Sequence, residues 1–237
     1  MTPDRELNRR IAEVQRHYQS HPPHPSHPAD QQDDRWIEQL PVTQTILGWV
    51  GHGRRVLDLG CHEGDISALI RAAGTEVVGV DLPEIADRAR ARYGLEAVGH
   101  DLNQPFPFAD ASFEVVVCAS VLDDIPDDLG HLRECHRVLQ PGGALIVIVP
   151  NDVSLYRRIQ CVLGGASRDF SSPAGYHTLQ CYTLAGIQSL LRVAGFGIDA
   201  YAKCPKRYSR IPLRYWIERL LPASFATDLA VLARKPG

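Results

Sequence analysis

The ten residues from Val56 to Asp65, VLDLGCHEGD, change character twice. A β-prone apolar run is interrupted by Asp58, a turn opens at Gly60 and Gly64, and a helical stretch, DISALIRAAG, begins at Asp65 and is closed by Gly74. A strand that passes through such a turn into a helix is the opening unit of a doubly wound α/β sheet, in which ligands sit beyond the carboxyl ends of the strands. There Gly60 and Gly64 let the backbone approach a ligand with no Cβ between, and the helix start adds amide donors and its positive end. A ligand carboxylate finds donors in this turn; a ligand ammonium finds Asp58 and the loop carbonyls.

The flanking sequence repeats the unit. TEVVGVD, EAVGHD, SFEVVVCAS and ALIVIVP read as strands, and PEIADRARARYG and DDLGHLRECHRVLQPGG as helices, closed by Gly94 and stopped by Pro-Gly-Gly. Strands alternating with helices imply parallel pairing through crossovers, and near-continuous Val/Ile/Leu runs imply a sheet covered on both faces. Asp81 ends the second strand roughly 20 residues beyond the glycine turn, the interval at which an acid takes a ribose hydroxyl pair. Asp101 follows the third strand. Any one of Asp58, Asp81 and Asp101 is equally well explained as a turn or capping residue; three in phase point to a shared ligand. The turn Gly60-Cys61-His62-Glu63-Gly64 lacks the third glycine of G-x-G-x-x-G and the Lys and Ser/Thr of a P-loop. That disfavours a pyrophosphate, and with it a nicotinamide oxidoreductase, and suits a nucleoside carrying an amino-acid tail.

Bulk properties narrow the rest. A net charge of −3 provides no global field toward nucleic acid. No apolar run is long enough to span a bilayer, and the charged start MTPDRELNRRIAEV lacks a secretion signal. Six cysteines without a CxxC pair fit reduced thiols and a cytoplasmic location. Residues 1–52 read as a helical cap and linker: a helix from Thr2-Pro3 with Leu7, Ile11, Val14 and Tyr18 on one stripe, the connector SHPPHPSHPAD, then a helical stretch from Trp36 to Val50, broken at Pro41. The connector carries His21, His24 and His27, but a proline-rich chain rarely presets ligand geometry, so no metal is expected. Residues 53–237 form the main domain, with an insertion around 151–182. Within it NDVSLYRRIQCVLGG is helical and ASRDFSSPAGYHTLQCY is a loop; a helix from Thr183 toward Gly195 leads into FGIDAYAK, and FATDLAVLARKP supplies the last strand.

VLDLGCHEGD, VVGVD, FPFADASFEVVVCASVLDDIPD, HLRECHRVLQPGGALIVIVPN and HTLQCYTLAGIQSLLRVAGFGI resemble, in order and spacing, the motifs of a class I S-adenosylmethionine-dependent methyltransferase. The resemblance covers about Arg54 to Ala200 and the final strand. It implies an α/β, Rossmann-like, doubly wound and mostly parallel seven-stranded sheet, with helices on both faces and the last strand antiparallel. It further implies S-adenosylmethionine as cofactor and a small-molecule acceptor. Asp58 and the turn Gly60, Cys61, His62 and Gly64 would surround the methionine end; Asp81, followed by Leu82, would hold the ribose. Asp101 would accept from the adenine amino group, the Leu102 amide would meet the ring, and Ala119 would lie near the amino-acid tail. Tyr18 would reach the cofactor from a lid shared with Trp36, if the N-terminal helix does more than patch the core. His62 replaces a glycine of many relatives; a negative φ is expected there, with the imidazole pointing outward. Asp123-Asp124 replace a Glu-His pair, so no acid/base role can be borrowed from that histidine.

A hydroxyl acceptor benefits from a base and an amine less so. His177, Asp123 and Tyr176 are the candidate catalytic residues, with Tyr182 also able to touch the acceptor; Asp124 is a further candidate base, His131 and His136 read as surface or packing residues, and Asn151 as a substrate contact or a helix cap. The basic, aromatic tail KCPKRYSRIPLRYWIERLLP leaves three readings open: an anionic acceptor, peripheral contact with a membrane surface, or the solvated face of an ordinary helix. The leading acceptor is a saccharide hydroxyl. The competing function is a non-catalytic member that holds S-adenosylmethionine or its product. Oligomeric state is not legible.

Overall fold

The computed structural model describes residues 40–162, 179, 180, 182–205 and 220–237. The N-terminal helix with Tyr18, the histidine-bearing connector, Trp36, Tyr176, His177 and most of the basic tail lie outside the described residues.

In chain order the elements are α1 (Pro41–Val50), β1 (Arg55–Leu59), α2 (Asp65–Ala72), β2 (Glu76–Asp81), α3 (Pro83–Tyr93), β3 (Glu96–Gly99), β4 (Phe113–Ala119), α4 (Asp128–Val138), β5 (Leu139–Pro150), α5 (Leu155–Val162), α6 (Leu184–Val193), β6 (Gly197–Cys204) and β7 (Asp228–Arg234). The seven strands form one sheet in the order β3-β2-β1-β4-β5-β7-β6. β1 pairs in parallel with β2 and β4, while β7 runs antiparallel between β5 and β6. The fold class expected from the sequence is the one observed.

Alternation along each strand sorts side chains onto the two faces. Leu57, Leu59, Val116, Cys118, Leu145 and Val147 point to one side, where Leu132 and Cys135 of α4 and Ile187 and Leu191 of α6 cover them. Val56, Val115, Val117, Ile146 and Ile148 point to the other, against Ile46 and Val50 of α1 and Ile70 of α2. Burial on both faces explains why these strands carry unbroken apolar runs.

One boundary differs from the sequence reading. Pro141-Gly142-Gly143 do not stop α4, which ends at Val138; they belong to the start of β5. The register between β4 and β5 steps from Phe113↔Leu139 to Val115↔Ala144, so the Pro-Gly-Gly residues form an irregularity at the strand's entry, a place where proline and glycine are tolerated. Thr183 caps α6 as its position implied, its hydroxyl accepting from the Gly186 amide at 3.0 Å.

Candidate active site

The strand order reverses between β1 and β4, and the crevice of a doubly wound sheet opens at such a point. The turn after β1 and the residues after β4 touch here. Gly60 has φ +69°, and a Cβ on it would overlap Val121 Cγ2. Gly64, at φ +91°, would likewise overlap Leu95. Both glycines are therefore required by the turn's own packing as well as by its dihedrals, whatever a ligand demands. Gly60→Ala is expected to cost about 3 kcal/mol, overpacking plus a left-handed alanine. Denaturant unfolding checks this, with Gly60→Ala/Val121→Ala recovering the steric part only.

His62 departs from expectation. Its φ is +50°, left-handed where a negative value was anticipated. The cause is non-local: the His62 amide donates to Asp81 Oδ2 at 2.8 Å, which draws the turn over the end of β2. Cys61 is drawn inward as well, its Sγ occupying the space that Gly79 leaves on β2. Ser120, just past β4, also has a positive φ, of +56°. Two of the three left-handed non-glycine residues described thus sit at the crevice, the usual location of tolerated backbone strain. Outside the crevice, Arg92 pairs with Glu63 at 3.0 Å and Tyr93 Oη donates to Asp65 Oδ1 at 2.6 Å, fastening the turn to α3.

The three strand-end acids are differently held. Asp58 is 3% exposed, and Ser67 Oγ of α2 donates to its Oδ2 at 2.5 Å. Burial pushes its carboxyl up to about 7; the Ser67 bond opposes that shift and the Asp81 charge adds to it. Asp81 receives the His62 amide on Oδ2 and the Leu82 amide on Oδ1, each at 2.8 Å, so two backbone donors aim it. Burial raises its carboxyl too, against those amides and the nearby His62. Burial raises the Cys61 thiol, and Asp58 and then Asp81 add to the shift. Asp101 accepts from the Asn103 amide at 3.0 Å and from Asn103 Nδ2 at 2.7 Å, an Asx turn beyond β3. Ala119 ends β4 on the opposite lip.

These residues fit an adenosyl amino acid. Asp58 and Asp81 supply acceptors for an ammonium and a ribose diol. The fold is matched by comparison. A family model described as a methyltransferase domain matches residues 57–147. A probable S-adenosylmethionine-dependent methyltransferase of Mycolicibacterium smegmatis is 31% identical over 71% of this chain and 62% of its own length. Residues 57–147 carry a methyltransferase domain of the class I S-adenosylmethionine-dependent family. Among other members, a ubiquinone biosynthesis O-methyltransferase of Bordetella pertussis is 31% identical over 41% of this chain and 45% of its own length. The chain thus spans about half to three-fifths of the curated methyltransferases it matches. A Burkholderia thailandensis 1,6-didemethyltoxoflavin-N1-methyltransferase, solved with its acceptor and S-adenosylhomocysteine, shares the fold at TM-score 0.59 and 20% identity, over 86% of this chain and 82% of its own.

The methyltransferase crevice does not gather every candidate. Tyr182 is 5% exposed, and its hydroxyl lies 3.0 Å from Asp128 Oδ2 and 3.3 Å from the Leu122 carbonyl. Its phenol is a core strut, held well above the usual range by burial and then Asp128, so it is not a group turned to the acceptor. Asn151 is buried and donates to the carbonyls of Ser224 and Ala226, tying the end of β5 to the approach to β7. It is a structural clamp and not a substrate contact. Asp123 is 8% exposed in a short turn, which argues against its serving as a base. His131 is buried and His136 packs on Phe196, ring centroids 5.1 Å apart. No helix among the described residues is long and apolar enough to cross a membrane.

Sequence reasoning missed the roles of Ser67 and Val121. Ser67 lies at the third position of α2, one turn above the strand tip, so its bond to Asp58 follows from the predicted helix. Nothing local identifies Val121.

Proposed function

We propose that this protein transfers a methyl group from S-adenosylmethionine to an oxygen of a small-molecule acceptor, a saccharide hydroxyl or another biosynthetic intermediate. The observation that carries the reading is the meeting of the Gly60–Gly64 turn with Asp81, through the His62 amide, beside the buried Asp58. The name of the Bordetella relative favours oxygen. Bound in the crevice, the cofactor supplies an electrophilic methyl on a sulfonium.

The chain's own residues bind and orient. Asp81 takes the ribose hydroxyls, with Leu82 beside it. Asp58 and the Gly60–Gly64 turn, with Cys61 and His62, hold the methionine end opposite Ala119, and Asp101 and the Leu102 amide read the adenine. Fixing cofactor and acceptor in line provides most of the acceleration, since orientation alone is worth several kcal/mol. His177 and Tyr176 are the proposed acceptor-side groups. The amides of Leu179 and Gln180, two and three residues beyond His177, both donate to the Asp123 carbonyl, at 2.8 and 2.9 Å, on the rim past β4. Residues 1–52 form the cap, including Tyr18, and the region around 151–182 the acceptor wall. The proposed compartment is the cytoplasm.

Calorimetric titration with S-adenosylhomocysteine, followed by label transfer from methyl-labelled S-adenosylmethionine to the small-molecule fraction of a lysate, tests the proposal. A labelled methoxyl product is expected; label on nitrogen or carbon overturns the oxygen assignment. The burial of Asp123 and Tyr182 favours a second reading, a non-catalytic adenosyl-ligand binder, which predicts tight binding with no transferred label.

Asp58 makes binding pH-dependent. With its carboxyl near 7, a ligand ammonium must displace a proton below that value, so affinity for S-adenosylhomocysteine is expected to rise about tenfold from about pH 6 to about pH 8. Stability moves the other way. A carboxyl raised in the folded state is ionised first in the unfolded chain, so its contribution is lost as pH climbs from the ordinary value of 3.8 to about 7. Calorimetry and denaturation over this range, with Asp58→Asn flattening both profiles, check the pair of trends.

A further inference from the structure

We infer that His131 is a positioning residue for the adenine end of the cofactor, bracing from within the core the loop that reads the base. The inference rests on the crevice being the S-adenosylmethionine site.

The loop between β3 and β4 has little regular structure, and α4 holds it with side chains at three successive positions along one helix face. His131 Nδ1 lies 3.3 Å from the Leu102 carbonyl. Glu134 Oε2 accepts from the Phe106 amide at 2.8 Å. Arg137 donates to the Phe106 and Phe108 carbonyls at 3.1 and 2.8 Å. Glu134 and Arg137 serve the outer part of the loop. His131 serves the part next to Asp101, and of the three it alone is buried, at 4% exposed.

The chemistry around the imidazole fixes its state. Burial pushes its pKa down to about 4, so near neutral pH it carries one N–H and one lone pair. The Leu102 carbonyl can only accept, which assigns the proton to Nδ1. Nε2 is then an acceptor, and Cys118 Sγ stands 3.7 Å from it. That thiol is pushed up to about 12 by burial and then by Asp123, so it keeps its proton to donate. Phe106 meets the ring edge-on, centroids 5.2 Å apart, and blocks its rotation. A continuous line of bonds therefore runs from Cys118, at the carboxyl end of β4, through His131 to Leu102. It pins the peptide after Leu102, and so holds the Asp101–Leu102 turn where a carboxylate and an amide present themselves side by side to the adenine edge.

The test compares two polar replacements of similar bulk. In His131→Asn the amide nitrogen takes the place of Nδ1 and can still donate to Leu102; in His131→Gln the polar end takes the place of Nε2 and keeps only the Cys118 side. Ligands are S-adenosylhomocysteine and S-inosylhomocysteine, whose 6-oxo group faces Asp101 where the amino group should. The unaltered protein is expected to prefer the adenosyl ligand by about a hundredfold, since the inosyl form sets an acceptor against the Asp101 acceptor. His131→Asn is expected to keep that preference within about threefold, and His131→Gln to reduce it by about tenfold, a hydrogen bond's worth. His131→Leu stands in should His131→Gln not fold. Equal loss of affinity for both ligands, or indistinguishable preferences in the Asn and Gln variants, overturns the inference while leaving the site intact. Failure of the unaltered protein to bind S-adenosylhomocysteine removes the reading of the site and this inference with it.

Discussion

Asp81→Ala is expected to weaken S-adenosylhomocysteine binding by about a hundredfold or more. A carboxylate that accepts both hydroxyls of a ribose makes two charge-assisted hydrogen bonds, each worth about 1.5–3 kcal/mol, and a loss of about 3 kcal/mol is a hundredfold in affinity. Two further effects act in the same direction. The substitution frees the His62 amide, which Asp81 Oδ2 holds at 2.8 Å, so the turn loses the anchor that keeps a non-glycine left-handed. It also frees the Leu82 amide at the start of α3. Asp81→Asn keeps the shape and one acceptor and should fall between. Isothermal titration decides the matter, and a dissociation constant for Asp81→Ala within about threefold of the unaltered protein would exclude Asp81 from the site.

His177→Ala carries the second large effect, a loss of about 10²–10⁴ in kcat for a hydroxyl acceptor. Cofactor affinity should stay within about threefold, because the residues proposed to hold the adenosyl ligand lie at the ends of β1, β2 and β3. The two groups of functions are separable in the molecule: Asp58, Asp81 and Asp101 lie at the carboxyl ends of β1, β2 and β3, whereas the amides of Leu179 and Gln180 meet the far rim at the Asp123 carbonyl. A base acting on a hydroxyl also leaves a signature in pH, the descending acid limb of kcat, which should vanish in His177→Ala. An unchanged kcat with the acceptor identified by label transfer would assign the base elsewhere, or show that the acceptor needs none.

The contrast between what was legible and what was not follows from range of interaction. Strands β1, β2, β4 and β5 could be read because burial on both faces writes itself into consecutive residues such as Val115–Cys118. The three acids could be read because each closes a strand. The dihedral of His62 could not, because it is set by a carboxylate 19 residues away that no local rule connects to it. Tyr182 carried an ambiguous signal for the same reason: an aromatic hydroxyl near a loop looks available until Asp128, 54 residues earlier, takes it. The end of α4 was misplaced because Pro-Gly-Gly is a breaker in either setting, and only the register against β4 shows that it breaks a ladder and not a helix. The sequence left His131 as a surface or a packing residue; its burial and its polar partners, Leu102 and Cys118, become visible only once α4 lies across the sheet.

β7 fits between β5 and β6, hydrogen-bonded to both. As the chain leaves the ribosome, the first six strands emerge while β5 and β6 still lack the ladder that will join them. Completion of the sheet must wait for β7, which follows its six companions in chain order. The crevice at β1 and β4 sits on the opposite side of β5 from that gap. A nascent chain can therefore shape the half built on β1–β4 early, and remains open to rescue or degradation at its other edge until β7 arrives.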